Sequence, residues 1–379
     1  MSSVNNNCNH KIIYLLLYVF VLICVFFPSD RYNIKIFTFI IIMLMSYKLF
    51  NYKKRRDNII IIWGAIFPLT LMIISSIKTG DIYDAVSMAY VPCLFLLIIP
   101  IIEYNINFNE IVLKFLKIES IIIVLLALFD ILNIYDMNGN NYIRNFIYYW
   151  DIGFIGKSAE YSTYFKIFFK TSPAILLLLY ESVKRKEYFY VCVSCIALIL
   201  SGTRANIIIT LLYLIFRLVI FAYKKNKKNI MVSISILVVL AFTYFCKMMG
   251  KTTAILSDNI KRRQLIGLFQ AIFNPKNILF GQGFGSLYFD YGRNEYESVA
   301  ELAYFNLLRQ VGLIMFVLFL LFILYPLFTN IDIQLKIIYF GYLLIAFTNP
   351  LLFSSTAYLV YIFVYLNVFK AKYFIQYYH

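Results

Sequence analysis

Apolar residues in this chain come in long blocks, and polar residues are confined to the gaps between them. Twelve blocks approach the roughly 20 residues that cross a hydrocarbon layer as a helix. They lie at about 12–28, 34–50, 58–77, 86–102, 116–133, 166–182, 187–201, 206–223, 229–247, 302–325, 334–351 and 355–371. The seventh is short for a full crossing. The pattern predicts an all-α, polytopic integral membrane protein of about 12 transmembrane helices, with residues 1–379 forming a single transmembrane domain. Two longer polar stretches interrupt it, at about 133–165 and 247–301.

Orientation follows from Lys and Arg, which favour the cytoplasmic side of a membrane. With the N-terminus inside, the cytoplasmic connections hold Lys53–Arg56, Lys114 and Lys117, Lys184–Lys186, Lys224–Lys228 and Lys336, with Lys370 and Lys372 in the tail. The opposite short connections carry chiefly Arg31, Lys35, Lys78 and Arg204. Both termini are therefore expected to be cytoplasmic, and both long polar stretches external.

Composition agrees with the pattern. Hydrophobic residues make up 62% of the chain and charged residues 14%, against about 25% charged in soluble domains. The net charge of +16 sits in short clusters beside apolar blocks, where it meets anionic lipid headgroups. No soluble basic domain exists to host nucleic acid, so no nucleic-acid partner is expected. The first apolar block ends in FFPSD (Phe26–Asp30), which lacks the small residues of a signal-peptide cleavage site. The six cysteines fall mostly in or beside apolar blocks. Cys192 and Cys195 form a CxxC without accompanying histidines, and packing is the better reading. The two histidines, His10 and His379, stand at opposite ends. No metal-ligand spacing appears, so neither a metal nor another cofactor is expected.

Between the seventh and eighth blocks lies SGTRAN (Ser201–Asn206). A membrane chain seldom keeps a guanidinium such as that of Arg204 so close to hydrocarbon without a use for it. The first external stretch is aromatic-rich at Tyr142–Trp150; these rings suit an interfacial belt better than sugar stacking. The second carries KRRQLIGLFQAIF (Lys261–Phe273). Leu265, Leu268, Phe269, Ile272 and Phe273 recur near helical spacing, predicting a helix along the membrane surface with Arg262 and Arg263 in its first turn and Pro275 as its stop. GQGFGS follows, with Gly281, Gly283 and Gly285 allowing tight turns and close approach to a ligand. Asp290, Arg293, Glu295, Glu297 and Glu301 complete the stretch. Arginine forks suit phosphate, and a carboxylate at a membrane boundary can serve as a base.

These motifs, in this order, resemble the O-antigen polymerase and ligase superfamily, membrane glycosyltransferases of the C-type architecture. SGTRA matches its S-G-[ST]-R-[AG] turn. Arg262 or Arg263, Pro275, Gly281, Gly283 and Gly285 fit its Arg-led helix, Pro and G-x-G-x-G. In ELAYFNLLRQVG, Glu301, Tyr304 and Gly312 keep the spacing of the ligases' H-N-x-Y-L block, but Glu301 replaces the histidine and Leu302 the asparagine. That departure points away from ligase and toward polymerase. The motif-level resemblance covers roughly residues 185–325.

The resemblance implies polymerisation of undecaprenyl-diphosphate-linked oligosaccharide repeat units into O-antigen or capsular polysaccharide. The site would be the outer face of a bacterial inner membrane. Arg204, Arg262, Arg263 and Glu301 would be catalytic, the arginines meeting charge on the departing diphosphate. Arg293, Glu297, Tyr304, Arg309 and the three glycines would bind substrate. Membrane lipids, and the flippase and chain-length regulator of the same route, are the implied partners. The alternatives are a ligase and a transporter or lipid-sugar flippase. Transporters place ionisable groups and broken helices near the midplane, often in repeated halves. Here only Asp130, Lys170 and Arg217 are candidates, and no repeat is evident.

Overall fold

The computed structural model describes residues 2–29, 33–47, 55–79, 82–132, 142–157, 165–224, 252–347 and 349–377. The predicted ninth helix (229–247), Lys53, Lys54 and Lys225–Lys228, Arg31, Asp136, Glu160 and Cys246 lie outside them.

The described chain is mostly helical, as the apolar blocks predict. Its elements are α1 (Ser2–Phe26), α2 (Ile34–Ser46), α3 (Arg55–Ile61), α4 (Phe67–Thr79), α5 (Ile82–Cys93), α6 (Ile98–Glu103), α7 (Phe108–Ile131) and α8 (Tyr142–Tyr149). The hairpin β1 (Gly153–Lys157) and β2 (Phe165–Phe169) follows, then α9 (Ile175–Arg185), α10 (Tyr188–Leu200), α11 (Arg204–Lys224) and α12 (Thr252–Ile272). A second hairpin, β3 (Tyr288–Asp290) and β4 (Glu295–Glu297), precedes α13 (Ala303–Leu324), α14 (Ile333–Phe347) and α15 (Ser355–Tyr377). A π-helical turn at Ile62–Ile66 joins α3 to α4, and a 3-10 turn at Leu94–Leu97 joins α5 to α6.

Among the described residues two helical stretches are long and apolar enough to cross a membrane, Asn58–Thr79 and Ala303–Phe328. Six shorter apolar helices accompany them. The sixth predicted helix needs correction. Its first residues, Lys166–Phe169, belong to β2, antiparallel to β1 with Ile155 opposite Ile167. Helix begins only after the 3-10 turn Ser172–Ala174. FKIFF is a short apolar run rich in aromatic residues, which periodicity alone does not separate from a helix.

Helix α15 occupies the centre. Every residue from Ala357 to Tyr365 is buried, as expected of a helix apolar all round. Two of its tyrosines satisfy their hydroxyls on carbonyls: Tyr361 donates to Leu352 at 2.9 Å and Tyr365 to Phe322 at 2.7 Å. The outer helices turn apolar residues outward instead. Phe37, Leu44, Ile73, Ile77 and Leu321 are all exposed.

Charged partners meet at the two ends of the bundle. At one, Arg185 at the end of α9 pairs with Glu110 at the start of α7, and Lys117 pairs with Glu187 at 2.5 Å. At the other, Lys170 and Ser29 both reach Asp151, and α10, α11, α12 and α13 present the candidate site. The polar connections grouped on one side by sequence are thus together in space. Glu119, fully buried on α7, accepts from Thr171 Oγ1 at 2.6 Å through Oε1, while its Oε2 has no hydrogen-bond partner among the described residues.

Candidate functional site

The turn Ser201–Thr203 links α10 to α11 and is braced from within. Asn206 Nδ2 donates to Ser201 Oγ at 2.8 Å, Ser201 Oγ to the Leu198 carbonyl at 2.6 Å, and the Asn206 backbone N–H to Thr203 Oγ1 at 3.3 Å. Gly202 adopts φ +66°, and a Cβ there would meet Lys166 Cγ of β2 at 2.7 Å. The turn is therefore fixed against the first hairpin, and Arg204 stands in the first turn of α11. Its NH1 lies 3.2 Å from both carboxylate oxygens of Asp258 on α12.

Helix α12 is longer than its sequence pattern suggests. It starts at Thr252, so Arg262 and Arg263 lie in its middle, not its first turn. TTAILSDNI (Thr252–Ile260) carries no breaker, and the helix extends upstream through it. The apolar face is also used differently. Leu268 and Ile272 are buried against Tyr288, Ala300 and Leu302, and Phe269 meets Phe305 edge-on at 5.4 Å. The face thus packs on the second hairpin and the start of α13, leaving Phe273 exposed. Arg262 and Arg263 point away from it, both exposed, with no ion pair among the described residues.

Gln264, buried on the same helix, holds the acidic stretch. Its Nε2 donates to Asp290 Oδ2 at 2.7 Å and its Oε1 accepts the Glu301 N–H at 3.1 Å. Asp290 Oδ1 in turn accepts the Gly292 N–H at 2.7 Å, closing the β3–β4 turn. Glu301 then sits between two cations, Lys261 Nζ at 3.3 Å and Arg293 NH2 at 3.4 Å. Arg293 NH1 also donates to Glu297 at 2.7 Å, the largest reason its guanidinium is held above the ordinary arginine range.

The glycine stretch has a different task from the one expected of it. Gly281, Gly283 and Gly285 all adopt positive φ, but the close approach they permit is to the chain itself. Helix α13 breaks at Gly312 (φ 75°, ψ 173°), and the stretch docks into the break. Gln282 and Gly283 donate backbone N–H bonds to the carbonyls of Arg309 and Gln310 at 2.8 and 2.9 Å, and Leu313 donates to Ile278 at 2.8 Å. A Cβ on Gly281 would lie 2.3 Å from the Gln310 carbonyl oxygen. Phe284 N–H donates to Ser75 Oγ at 3.1 Å, tying the stretch to α4.

Arg309 locks this junction. Its side chain is fully buried, and every N–H of the fork has a protein acceptor. Nε and NH2 donate to Asn306 Oδ1 at 3.2 and 3.0 Å, and NH1 donates to Gln282 Oε1 and the Ser286 carbonyl at 2.9 and 2.8 Å. NH2 also donates to the Ser298 carbonyl at 2.9 Å. The guanidinium lies 4.8 Å from the centre of the Tyr288 ring, whose phenol burial, more than the Asp290 carboxylate, pushes upward. The charge is met by neutral dipoles and an aromatic face.

The expected site residues thus fall into two groups. Arg204, Arg262, Arg263, Arg293, Glu297 and Glu301 gather around α12. Arg309 and the glycines form the packed junction beneath them. Tyr304 donates its hydroxyl to the Leu343 carbonyl at 3.1 Å, so it bonds α14. Asp258, Lys261 and Gln264, which organise the first group, were not singled out by sequence. The spacing of Asp258 and Lys261 ahead of Arg262 is the signal that an earlier helix start would have exposed. The chain matches no family model, no curated protein and no solved structure. Fold and site define a mostly helical chain with apolar outward faces, two helices among the described residues long and apolar enough to cross a membrane, and a basic-acidic cluster at one end.

Proposed function

We propose that this chain is an integral membrane glycosyltransferase of about twelve spans that polymerises lipid-diphosphate-linked oligosaccharide repeat units at the outer face of a bacterial inner membrane. The observation that carries it is the gathering of Arg204, Arg262, Arg263 and Glu301 along one helix, α12. The outward-facing apolar side chains support a lipid-facing bundle, and the motif resemblance supports the reaction class.

In the reaction, a hydroxyl at the non-reducing end of the acceptor attacks the donor's anomeric carbon. The new C–O bond forms as the bond from that carbon to the diphosphate oxygen breaks, and the lipid diphosphate departs with the electron pair. Exposed, and without an ion pair among the described residues, Arg262 and Arg263 are open to the diphosphate. Arg204 is held by a half-exposed carboxylate, and such a pair is worth roughly 0–1 kcal/mol. A diphosphate can therefore displace Asp258 at little cost. Glu301, aligned by Lys261 and Arg293, takes the hydroxyl proton. Undecaprenyl diphosphate is the carrier that the resemblance implies.

The test is a polysaccharide ladder in a strain lacking the gene, complemented at matched membrane levels. Wild type restores long chains. Full-length polymer from Arg204→Ala, or from the double variant Arg262→Ala/Arg263→Ala, removes those arginines from the mechanism.

A transport reading has one observation in its favour. The buried Glu119 carboxyl, with one oxygen unpartnered among the described residues, is the kind of intramembrane ionisable group that transporters use.

A further inference from the structure

A small cavity of about 160 Å³ opens beside the acidic stretch, between Met88 of α5, Phe284, Ala303 of α13 and Phe353 before α15. Asn306 and Gln310 also line it; four residues apart, they share a helix face. At roughly 30 Å³ per water it holds about five waters, the space of one sugar ring and not of an oligosaccharide.

The orientation of both amides is fixed by their other partners. Asn306 presents Oδ1 to Arg309, which can only donate, so Nδ2 is turned the other way. Gln310 Nε2 donates to the Ser298 carbonyl at 3.3 Å, so Oε1 is left as an acceptor. Neither Asn306 Nδ2 nor Gln310 Oε1 has a hydrogen-bond partner among the described residues. The cavity is thus lined by residues holding one fixed donor and one fixed acceptor. Phe284 and Phe353 add an aromatic wall, with centroids 5.5 Å apart at 33°. Aliphatic C–H faces of a pyranose pack on such rings while its hydroxyls need a donor and an acceptor side by side. Val299 and Ala300 of the lining directly precede Glu301.

We propose that this cavity is a subsite for a single pyranose residue, oriented by Asn306 and Gln310 and stacked on Phe353. The assignment rests on the glycosyltransferase reading for its place in the reaction: it would seat a sugar of the substrate next to Glu301.

The experiment uses the full chain purified into lipid nanodiscs and a panel of methyl pyranosides, covering the common hexoses, 6-deoxyhexoses and N-acetylhexosamines. Binding is read by saturation-transfer NMR. At least one glycoside should receive transfer from wild type. That signal should fall at least fivefold in Ala303→Leu, which fills the cavity and keeps both amides, and in Gln310→Leu, which removes the acceptor. Both variants are compared at matched thermal midpoints, and Phe353→Leu substitutes for either if it fails to fold. No transfer from any glycoside, or transfer unchanged by the cavity variants, overturns the subsite. A polymer ladder from the same proteins separates this from the reaction itself. Cavity-dependent binding without polymer from wild type keeps the subsite and removes the polymerase reading. Polymer without cavity-dependent binding does the reverse.

Discussion

Asp258 and Lys261 stand one turn apart on α12, and the first pairs with Arg204 at 3.2 Å while the second pairs with Glu301 at 3.3 Å. Three residues of helix span roughly 4.5 Å along its axis. The SGTRAN turn and the entry to α13, nearly a hundred residues apart in sequence, are thereby tethered to adjacent points of one helix. Asp258 is the element to perturb first. It is half exposed, so Asp258→Asn should change stability by less than about 1 kcal/mol. If Arg204 meets the leaving diphosphate, Asp258→Asn should keep or lengthen the polymer ladder, whereas Arg204→Ala should abolish it and Arg204→Lys leave short chains. Loss of polymer with Asp258→Asn, at unchanged thermal midpoint, would assign the function to the Arg204–Asp258 ion pair and not to the guanidinium alone.

Glu301 yields a second contrast. Glu301→Gln keeps the shape, and its backbone N–H still reaches Gln264 Oε1, but the carboxylate that would take a proton is gone. Polymerisation by purified protein should fall by at least 10²-fold, the low end of general-base contributions. Glu297→Gln, one partner further out on Arg293, should lower it only a few fold. Equal effects of the two would make the cluster a structural clasp.

Arg309 and Gly281 should behave as fold residues. Arg309→Lys exchanges a planar fork for three donors and leaves the Asn306, Gln282, Ser286 and Ser298 acceptors partly unmet. Lost hydrogen bonds to a charged group cost roughly 1.5–3 kcal/mol each, so the thermal midpoint in detergent should drop by several degrees. Gly281→Ala combines a φ of 71° with a Cβ 2.3 Å from the Gln310 carbonyl oxygen; backbone strain alone is about 1–2 kcal/mol. Little protein should reach the membrane. Normal yield and midpoint for either variant would show that the junction at the α13 break is dispensable.

Most helices are legible in the sequence because apolar blocks of sufficient length have few other outcomes. The misread segments are those where a short pattern has two physical solutions. Phe165–Phe169 is apolar in either state, and its pairing partner, Gly153–Lys157, carries no distinct alternation. The apolar face of α12 reads equally as membrane-facing or as packed, and β3–β4 provides the packing partner that only the fold brings near. Arg309 was visible as a charge in an apolar block. Its acceptors at Gln282, Ser286 and Ser298 lie 27, 23 and 11 residues away, and no periodicity specifies contacts of that separation. The same holds for Gly281 and Gly312, whose shared close approach is a tertiary fact.

Glu119 separates the two functional readings. It is buried on α7, with Oε1 accepting from Thr171 and Oε2 unpartnered among the described residues. Thr171 Oγ1 also lies 3.1 Å from the Val25 carbonyl, so this group ties α1, α7 and the entry to α9 together. If the chain polymerises sugars at the outer cluster, Glu119 is a packing residue there. Glu119→Gln, which keeps an acceptor for Thr171 and can donate with its amide, should leave the polymer ladder full and move the thermal midpoint by a few degrees at most. If the chain instead carries a substrate across the membrane with a proton, this carboxyl is its natural relay. The same variant should then abolish polysaccharide export, while Arg262→Ala/Arg263→Ala should not. Ladders from these two variants at matched membrane levels decide the matter. Full polymer from Glu119→Gln together with none from the arginine pair supports the outer cluster, and the opposite pattern supports transport.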